Sequence, residues 1–130
     1  MAVVLDAWPV MQFMQGRESL ERRMSELLEG SEAVMSWINV GEVYYSTRRR
    51  WGSPLADRVL PRLLGNVTAE IPTASRVIEA ATLKSEYRMS YADAFAAATA
   101  VAHDAELWTG DPELLIPDAP WRWRDLSVEL

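Results

Sequence analysis

The sequence has no cysteine, one histidine (His103) and one lysine (Lys84) among its 130 residues. Without cysteine there are no disulfides, no thiolate chemistry and no zinc–cysteine site. A lone histidine rules out a two-histidine acid–base mechanism and any site with two histidine ligands. A bound metal would then be held by oxygen, which points to Mg²⁺ or Mn²⁺. Apolar runs are short, far below the ~18 residues of a membrane span. The opening "MAVVLDAW" has no charged leader and reaches Asp6 after a brief apolar run, so neither a secretory signal nor a membrane partner is expected, and the cytoplasm is the expected location.

Positive charge is scarce: the net charge is −6, which counts against nucleic acid as a partner. Yet twelve of the thirteen basic residues are arginines, clustered at Arg22 and Arg23, at Arg48, Arg49 and Arg50, and at Arg122 and Arg124. Arginine's planar fork suits phosphate oxygens, although an arginine-favouring codon bias accounts for the same composition. Hydrophobic residues make up 49% and charged residues 25%, as in a globular protein rather than a disordered one. There is no repeat or low-complexity segment, and residues 1–130 are expected to form a single domain.

Short β-rich or apolar runs occur at "AVVL" (2–5), "AVMSW" (33–37), "VTAEI" (67–71), "ELW" (106–108) and "WRWRDL" (121–126). In the last, Trp121 and Trp123 share one face and Arg122 and Arg124 the other. Helical spacing links Leu20, Met24, Leu27 and Leu28; Val40, Val43, Tyr44 and Thr47; Leu55, Val59 and Leu63; and Ala74, Val77, Ile78 and Ala81. An alanine-rich helix fills 90–104. Strands alternating with helices predict a three-layer α/β/α fold around a mainly parallel sheet of four or five strands.

In such a sheet, sites form where strands give way to helices. Asp6 follows "AVVL", Glu42 is read as opening the helix after "AVMSW", Asp93 opens the alanine-rich helix, and Asp111 follows "ELWTG". Each also has a local reading. "NVGE" (39–42) and "SYAD" (90–93) fit capping boxes, Asp111 before Pro112 fits a helix cap, and Asp6 fits a cap for the "WPVMQFM" turn. Two ionised carboxylates about 5 Å apart repel by roughly 3 kcal/mol at an effective dielectric near 20. Converging acids therefore need a divalent cation, protonation or helix dipoles; scattered ones need nothing.

Together, "VVLDAW", "INVGEVYY", "SYADAFAAATA" and "LWTGDPEL" resemble the PIN-domain ribonucleases, in particular the VapC-like toxins of bacterial toxin–antitoxin pairs. The resemblance runs from Asp6 to the C-terminal "WRWRDL". It implies RNA cleavage dependent on one or two Mg²⁺ (or Mn²⁺) ions, with Asp6, Glu42, Asp93 and Asp111 as the acidic quartet and Asn39 and Thr109 in support. Asp6, Asp93 and Asp111 would bind metal, and Glu42 would either join them or orient the attacking water. It also implies a toxin homodimer and a VapB-like antitoxin partner whose tail wraps the domain. Many relatives carry Ser or Thr soon after the first Asp, where Ala7 and Trp8 stand here.

Arg48, Arg49 and Arg50 extend from the helix that carries Glu42 and are the first candidates for contacts to RNA. Met11, Met14, Tyr44, Tyr45 and Trp51 read as core or as a groove for an antitoxin or second subunit. His103 reads as structural, compensating a helix dipole. Rival enzymes fit poorly. A haloacid-dehalogenase-type phosphotransferase would carry a second aspartate where Trp8 stands, and a receiver domain would need an acidic pair near Asp6. The remaining alternative is a catalytically inactive module of the same fold that binds protein.

Overall fold

The computed structural model describes residues 1–16 and 18–129, with the side chains of 18–21 and 27 outside its described part. In chain order the elements are β1 (Ala2–Leu5), α1 (Ala7–Met14), α2 (Glu18–Leu27), β2 (Glu32–Ser36), α3 (Trp37–Trp51), α4 (Ser53–Leu64), β3 (Thr68–Glu70), α5 (Ala74–Glu86), α6 (Tyr91–Ala102), β4 (Glu106–Thr109) and β5 (Trp123–Asp125), followed by a 3₁₀ turn over Leu126–Glu129. All five strands are parallel, in the order β3-β2-β1-β4-β5. This is the expected three-layer α/β/α fold. No helix among the described residues is long and apolar enough to cross a membrane.

Strand alternation splits the core into two layers. Val4, Val34 and Leu107 point to the α5–α6 side with Phe95, Ala97 and Trp121. Val3, Leu5, Met35 and Trp108 point to the other side with Val40, Val43 and Leu63. Ala94, Phe95, Ala96, Ala97, Ala98, Thr99 and Ala100 of α6 are all buried. Only small side chains let a helix be enclosed so fully, against the sheet on one side and α5 on the other; an added methylene there costs about 1–3 kcal/mol. On β5, Trp123 packs with the α6 layer, while the Arg124 guanidinium lies 5.5 Å from the Trp108 ring centroid in the opposite layer.

The strands match the apolar runs, but several helical details differ. Asp6 caps a helix, α1, and Pro9 is tolerated because it sits in the first turn, where its missing N–H has no intrahelical acceptor to lose. α3 begins at Trp37, with Ser36 Oγ accepting from Ile38 N at 3.2 Å. "NVGE" is therefore not a capping box, and Glu42 lies in the second turn rather than at the mouth. On α5 the inward residues are Val77, Ala80 and Leu83, while Ala74, Ile78 and Ala81 face out. Within the stripe read over 20–28, Met24 and Leu28 pack on the core; Leu20 and Leu27 lie outside the described side chains. Tyr45 and Trp51 are exposed rather than core. His103 caps α6 at its C-terminus and pairs with the Glu70 carboxylate, which also binds Arg76.

Candidate metal centre

β2 and β3 follow β1 on one side of the sheet, and β4 and β5 lie on its other side. The crevice where the chain changes direction is therefore at the carboxyl ends of β1 and β4. Asp6 leaves β1 and Asp111 follows β4, so the topology alone sets two acids at that crevice. Asp93 arrives from the first turn of α6. Asp6, Asp93 and Asp111 each present a carboxylate oxygen, and these three oxygens lie within 4.8 Å of one another. The tight packing of the alanine-rich helix is what brings its mouth so close.

Local capping and convergence coexist because a carboxylate has two oxygens. Asp6 Oδ1 accepts from Trp8 N at 3.2 Å, capping α1, while Oδ2 accepts from Thr109 Oγ1 at 2.7 Å. Asp111 Oδ1 accepts from Glu113 N at 3.0 Å, holding a turn over 112–114 in place of the short helix expected there. The Asp93 carboxylate makes no capping bond. Ser90 Oγ caps α6 by accepting from Asp93 N at 3.1 Å, but the return bond to Ser90 N comes from Glu113 at 3.2 Å. The box that "SYAD" predicts is thus completed by a residue from another loop, and the Asp93 carboxylate is left to meet Asp111.

Thr109 and Asn39 are fully buried. Besides binding Asp6, Thr109 Oγ1 accepts from Asp111 N at 3.0 Å, so one hydroxyl orients two of the acids. Asn39 Nδ2 donates to the Ala92 carbonyl at 3.0 Å and ties the first turn of α3 to that of α6. Glu42 comes to the rim from α3 but is not one of the three clustered acids. Its Oε1 is buried without a hydrogen-bond partner among the described residues, as is Asn39 Oδ1. Arg48, Arg49 and Arg50 sit exposed in the last turns of α3, away from the acids.

Burial and repulsion disfavour ionisation of Asp6, Asp93 and Glu42. Asp6, 2% exposed, is pushed up to about 7, chiefly by desolvation and then by the charges of Asp111 and Glu42, against the Thr109 and Trp8 hydrogen bonds. Asp93 is raised further by desolvation, a shared hydrogen bond with Asp111 and that residue's charge. Glu42 is raised by desolvation and by Asp111, with the Asn39 amide opposing. Three near-touching carboxylates, an unpartnered fourth oxygen and no nitrogen or sulfur ligand fit a hard divalent cation such as Mg²⁺ or Mn²⁺. A double positive charge would offset the repulsion and hold the acids ionised.

A family model described as PIN domain matches residues 3–118. Among solved structures, VapBC-1 from nontypeable Haemophilus influenzae superposes with a TM-score of 0.77 at 20% identity, covering 98% of this chain and 99% of that one. VapBC2 from Rickettsia felis, bound to a DNA fragment from its promoter, gives a TM-score of 0.80 at 17% identity over 96% and 98% of the two chains. Mycobacterium tuberculosis VapC20, a sarcin–ricin-loop-cleaving toxin, gives 0.70 at 18% identity over 86% and 92%. At such identities the likeness is one of fold. No curated protein matches the sequence.

Proposed function

This chain belongs to the PIN domain family, and from that premise we propose that it is a divalent-cation-dependent endoribonuclease, the toxin of a toxin–antitoxin pair. The observation that carries the reading is the meeting of Asp6, Asp93 and Asp111 within 4.8 Å at the crevice of the parallel sheet. These three hold Mg²⁺ or Mn²⁺. When bound, the cation supplies positive charge against the scissile phosphate and eases deprotonation of water.

The other residues have separate tasks. Thr109 and the Trp8 amide fix the Asp6 carboxylate, and Asn39 holds the α3 and α6 mouths together. Glu42 stands outside the three and has an unpartnered oxygen; with its affinity for protons raised by burial, it accepts a proton from the attacking water. In-line attack on phosphorus then expels the 3′ oxygen, leaving 5′-phosphate and 3′-hydroxyl ends. Arg48, Arg49 and Arg50 hold the flanking backbone.

The partner is a VapB-like antitoxin, and the functional unit is a toxin homodimer. An apolar groove of about 280 Å³ between α1, α2 and α4, lined by Phe13, Met14, Met24, Leu28, Val59 and Leu63, suits an apolar antitoxin segment.

The test is to express the wild type and Asp6→Asn in cells and map RNA ends. The expected result is growth arrest and new 5′-phosphate ends with the wild type only. Arrest that persists in Asp6→Asn, or 2′,3′-cyclic phosphate ends, would overturn the nuclease. Partner binding with no cleavage would favour the inactive binding module.

A further inference from the structure

The mouth of α6, which delivers Asp93, is tied down from three directions. Asn39 Nδ2 on α3 donates to the Ala92 carbonyl at 3.0 Å. Lys84 Nζ on α5 donates to the Met89 carbonyl at 2.9 Å. Glu113, in the loop after β4, accepts from Ser90 N through Oε2 at 3.2 Å. Only this last tie leads to another of the clustered acids. Glu113 N donates to Asp111 Oδ1 at 3.0 Å, and Asp111 N donates to Thr109 Oγ1, which in turn binds Asp6. A continuous line of hydrogen bonds thus runs from the α6 cap through Glu113 and Asp111 to Asp6.

Glu113 is the crossing point of that line. Residues 110–122 form no helix or strand, so no ladder of backbone bonds fixes Asp111 against α6. Among the described residues, and apart from the contact between Asp93 and Asp111 themselves, no other hydrogen bond joins residues 87–93 to residues 110–120. Glu113 is well seated for the task. Leu114 beside it is fully buried, and the Leu114 carbonyl accepts from Trp121 Nε1 at 2.9 Å. Glu113 is itself exposed, and it is not one of the three acids whose oxygens lie within 4.8 Å of one another. A carboxylate at the rim, bonded to a backbone amide, is placed to hold a distance rather than an ion.

We infer that Glu113 is a positioning residue for the cation: its carboxylate, clasping the Ser90 amide, sets the spacing between Asp93 and Asp111. The inference rests on the cation-dependent reading above, and it gives Glu113 neither a bond to the ion nor a proton to carry. Small hard cations tolerate little spread among their oxygen ligands, while ionised carboxylates drive one another apart. With the clasp open, the loop after β4 yields to that repulsion and the cation meets a looser set of acids. Residues that orient the ligands of a metal typically change its affinity by about 10- to 100-fold.

The test separates reach from charge at this position, with Mn²⁺ titrated into the full chain by calorimetry. Glu113→Gln keeps an accepting oxygen at the same reach without the charge, and should bind Mn²⁺ like the wild type. Glu113→Asp keeps the charge but draws the carboxylate back by a methylene, and Glu113→Ala removes it. Both should bind Mn²⁺ about tenfold more weakly. RNA cleavage by Glu113→Asp should need correspondingly more Mn²⁺ to reach half its maximal rate, with the rate at saturating Mn²⁺ close to that of the wild type. Asp118→Asn, which removes a charge from the same loop, should leave both readouts unchanged. Glu113→Gln as weak as Glu113→Ala would make the charge decisive and overturn the clasp, with the cation site left standing. Glu113→Asp or Glu113→Ala binding like the wild type would overturn it equally. A rate that saturating Mn²⁺ fails to restore would place Glu113 in the reaction itself and overturn the positioning role. No Mn²⁺ binding by the wild type would remove the cation reading and the inference with it.

Discussion

The indole of Trp8 rests on the backbone of Gly110, leaving no room for a side chain there. A methyl built on Gly110 would lie 2.3 Å from Trp8 Cζ2 and 2.4 Å from Cε2. The glycine is demanded by this contact, since its φ is not positive. Trp8 therefore acts at two points: its backbone N–H holds Asp6, and its ring braces the turn from Thr109 to Asp111. Where the resemblance led one to expect a supporting hydroxyl, the chain uses a large rigid ring.

Gly110→Ala should accordingly displace the indole or the turn, at a cost of about 1–3 kcal/mol. The same variant should bind Mn²⁺ more weakly by calorimetry, because Thr109 and Asp111 flank the altered position. In Trp8→Ala the added methyl finds space, so the double variant should be more stable than the sum of the two single costs implies. Additive losses in chemical denaturation would mean that the two residues do not press on each other.

Cation dependence should vary with pH in a direction set by the raised acids. With Asp6 at about 7 in the folded chain against 3.8 for the unperturbed group, the folded state holds more protons than the unfolded state across that interval. Stability without divalent ions therefore falls as pH rises from about 4 through 7, by a few kcal/mol for this buried group. Asp93, raised further, extends the loss upward. Mg²⁺ or Mn²⁺ should reverse it, so the thermal shift on adding either ion should be larger at pH 8 than at pH 5.5. An equal shift at both values would indicate binding away from these carboxylates.

The pattern of the sheet was legible because burial on both faces leaves short apolar runs that few other elements produce. Asp93 was legible too, since Ser90 marks the start of its helix. What escaped were features decided by tertiary contact. Whether a helix after "AVMSW" starts at Trp37 or near Asn39 depends on where β2 ends: Ser36 is its last residue, paired with Glu70 of β3, and its side chain caps the helix. The closing bond of the Ser90 cap comes from Glu113, 23 residues away, and no local spacing reveals it. On α5, Ala80 faces inward and Ile78 outward. A stripe chosen by hydrophobicity alone selects the larger residue and the wrong face.

Thr109 separates support from bulk. Its hydroxyl donates to Asp6 and accepts from the Asp111 amide, in full burial. Thr109→Val keeps the shape but leaves that amide unpaired, which should cost about 1–3 kcal/mol and weaken cation affinity roughly 10- to 100-fold. Thr109→Ser, which retains the hydroxyl, should stay close to wild type in both. A valine variant with unchanged Mn²⁺ affinity would mean that Asp6 needs no orienting partner.

Glu42 offers the sharpest division of labour. Its Oε1 has no hydrogen-bond partner among the described residues, and it stands apart from the three clustered carboxylates. Glu42→Gln keeps the volume and polarity while removing the proton acceptor. RNA cleavage should fall by about 10²–10⁴-fold, the usual contribution of a positioned base. The thermal shift on adding Mn²⁺ should remain, because Asp6, Asp93 and Asp111 are intact. Asp93→Asn should lose both cleavage and shift, and without divalent ions at pH 8 it should melt higher than wild type, since the amide does not have to hold in the folded chain a proton that the unfolded chain releases. If Glu42→Gln instead abolishes the shift, Glu42 belongs among the cation's holders, and the proton must go to another acceptor.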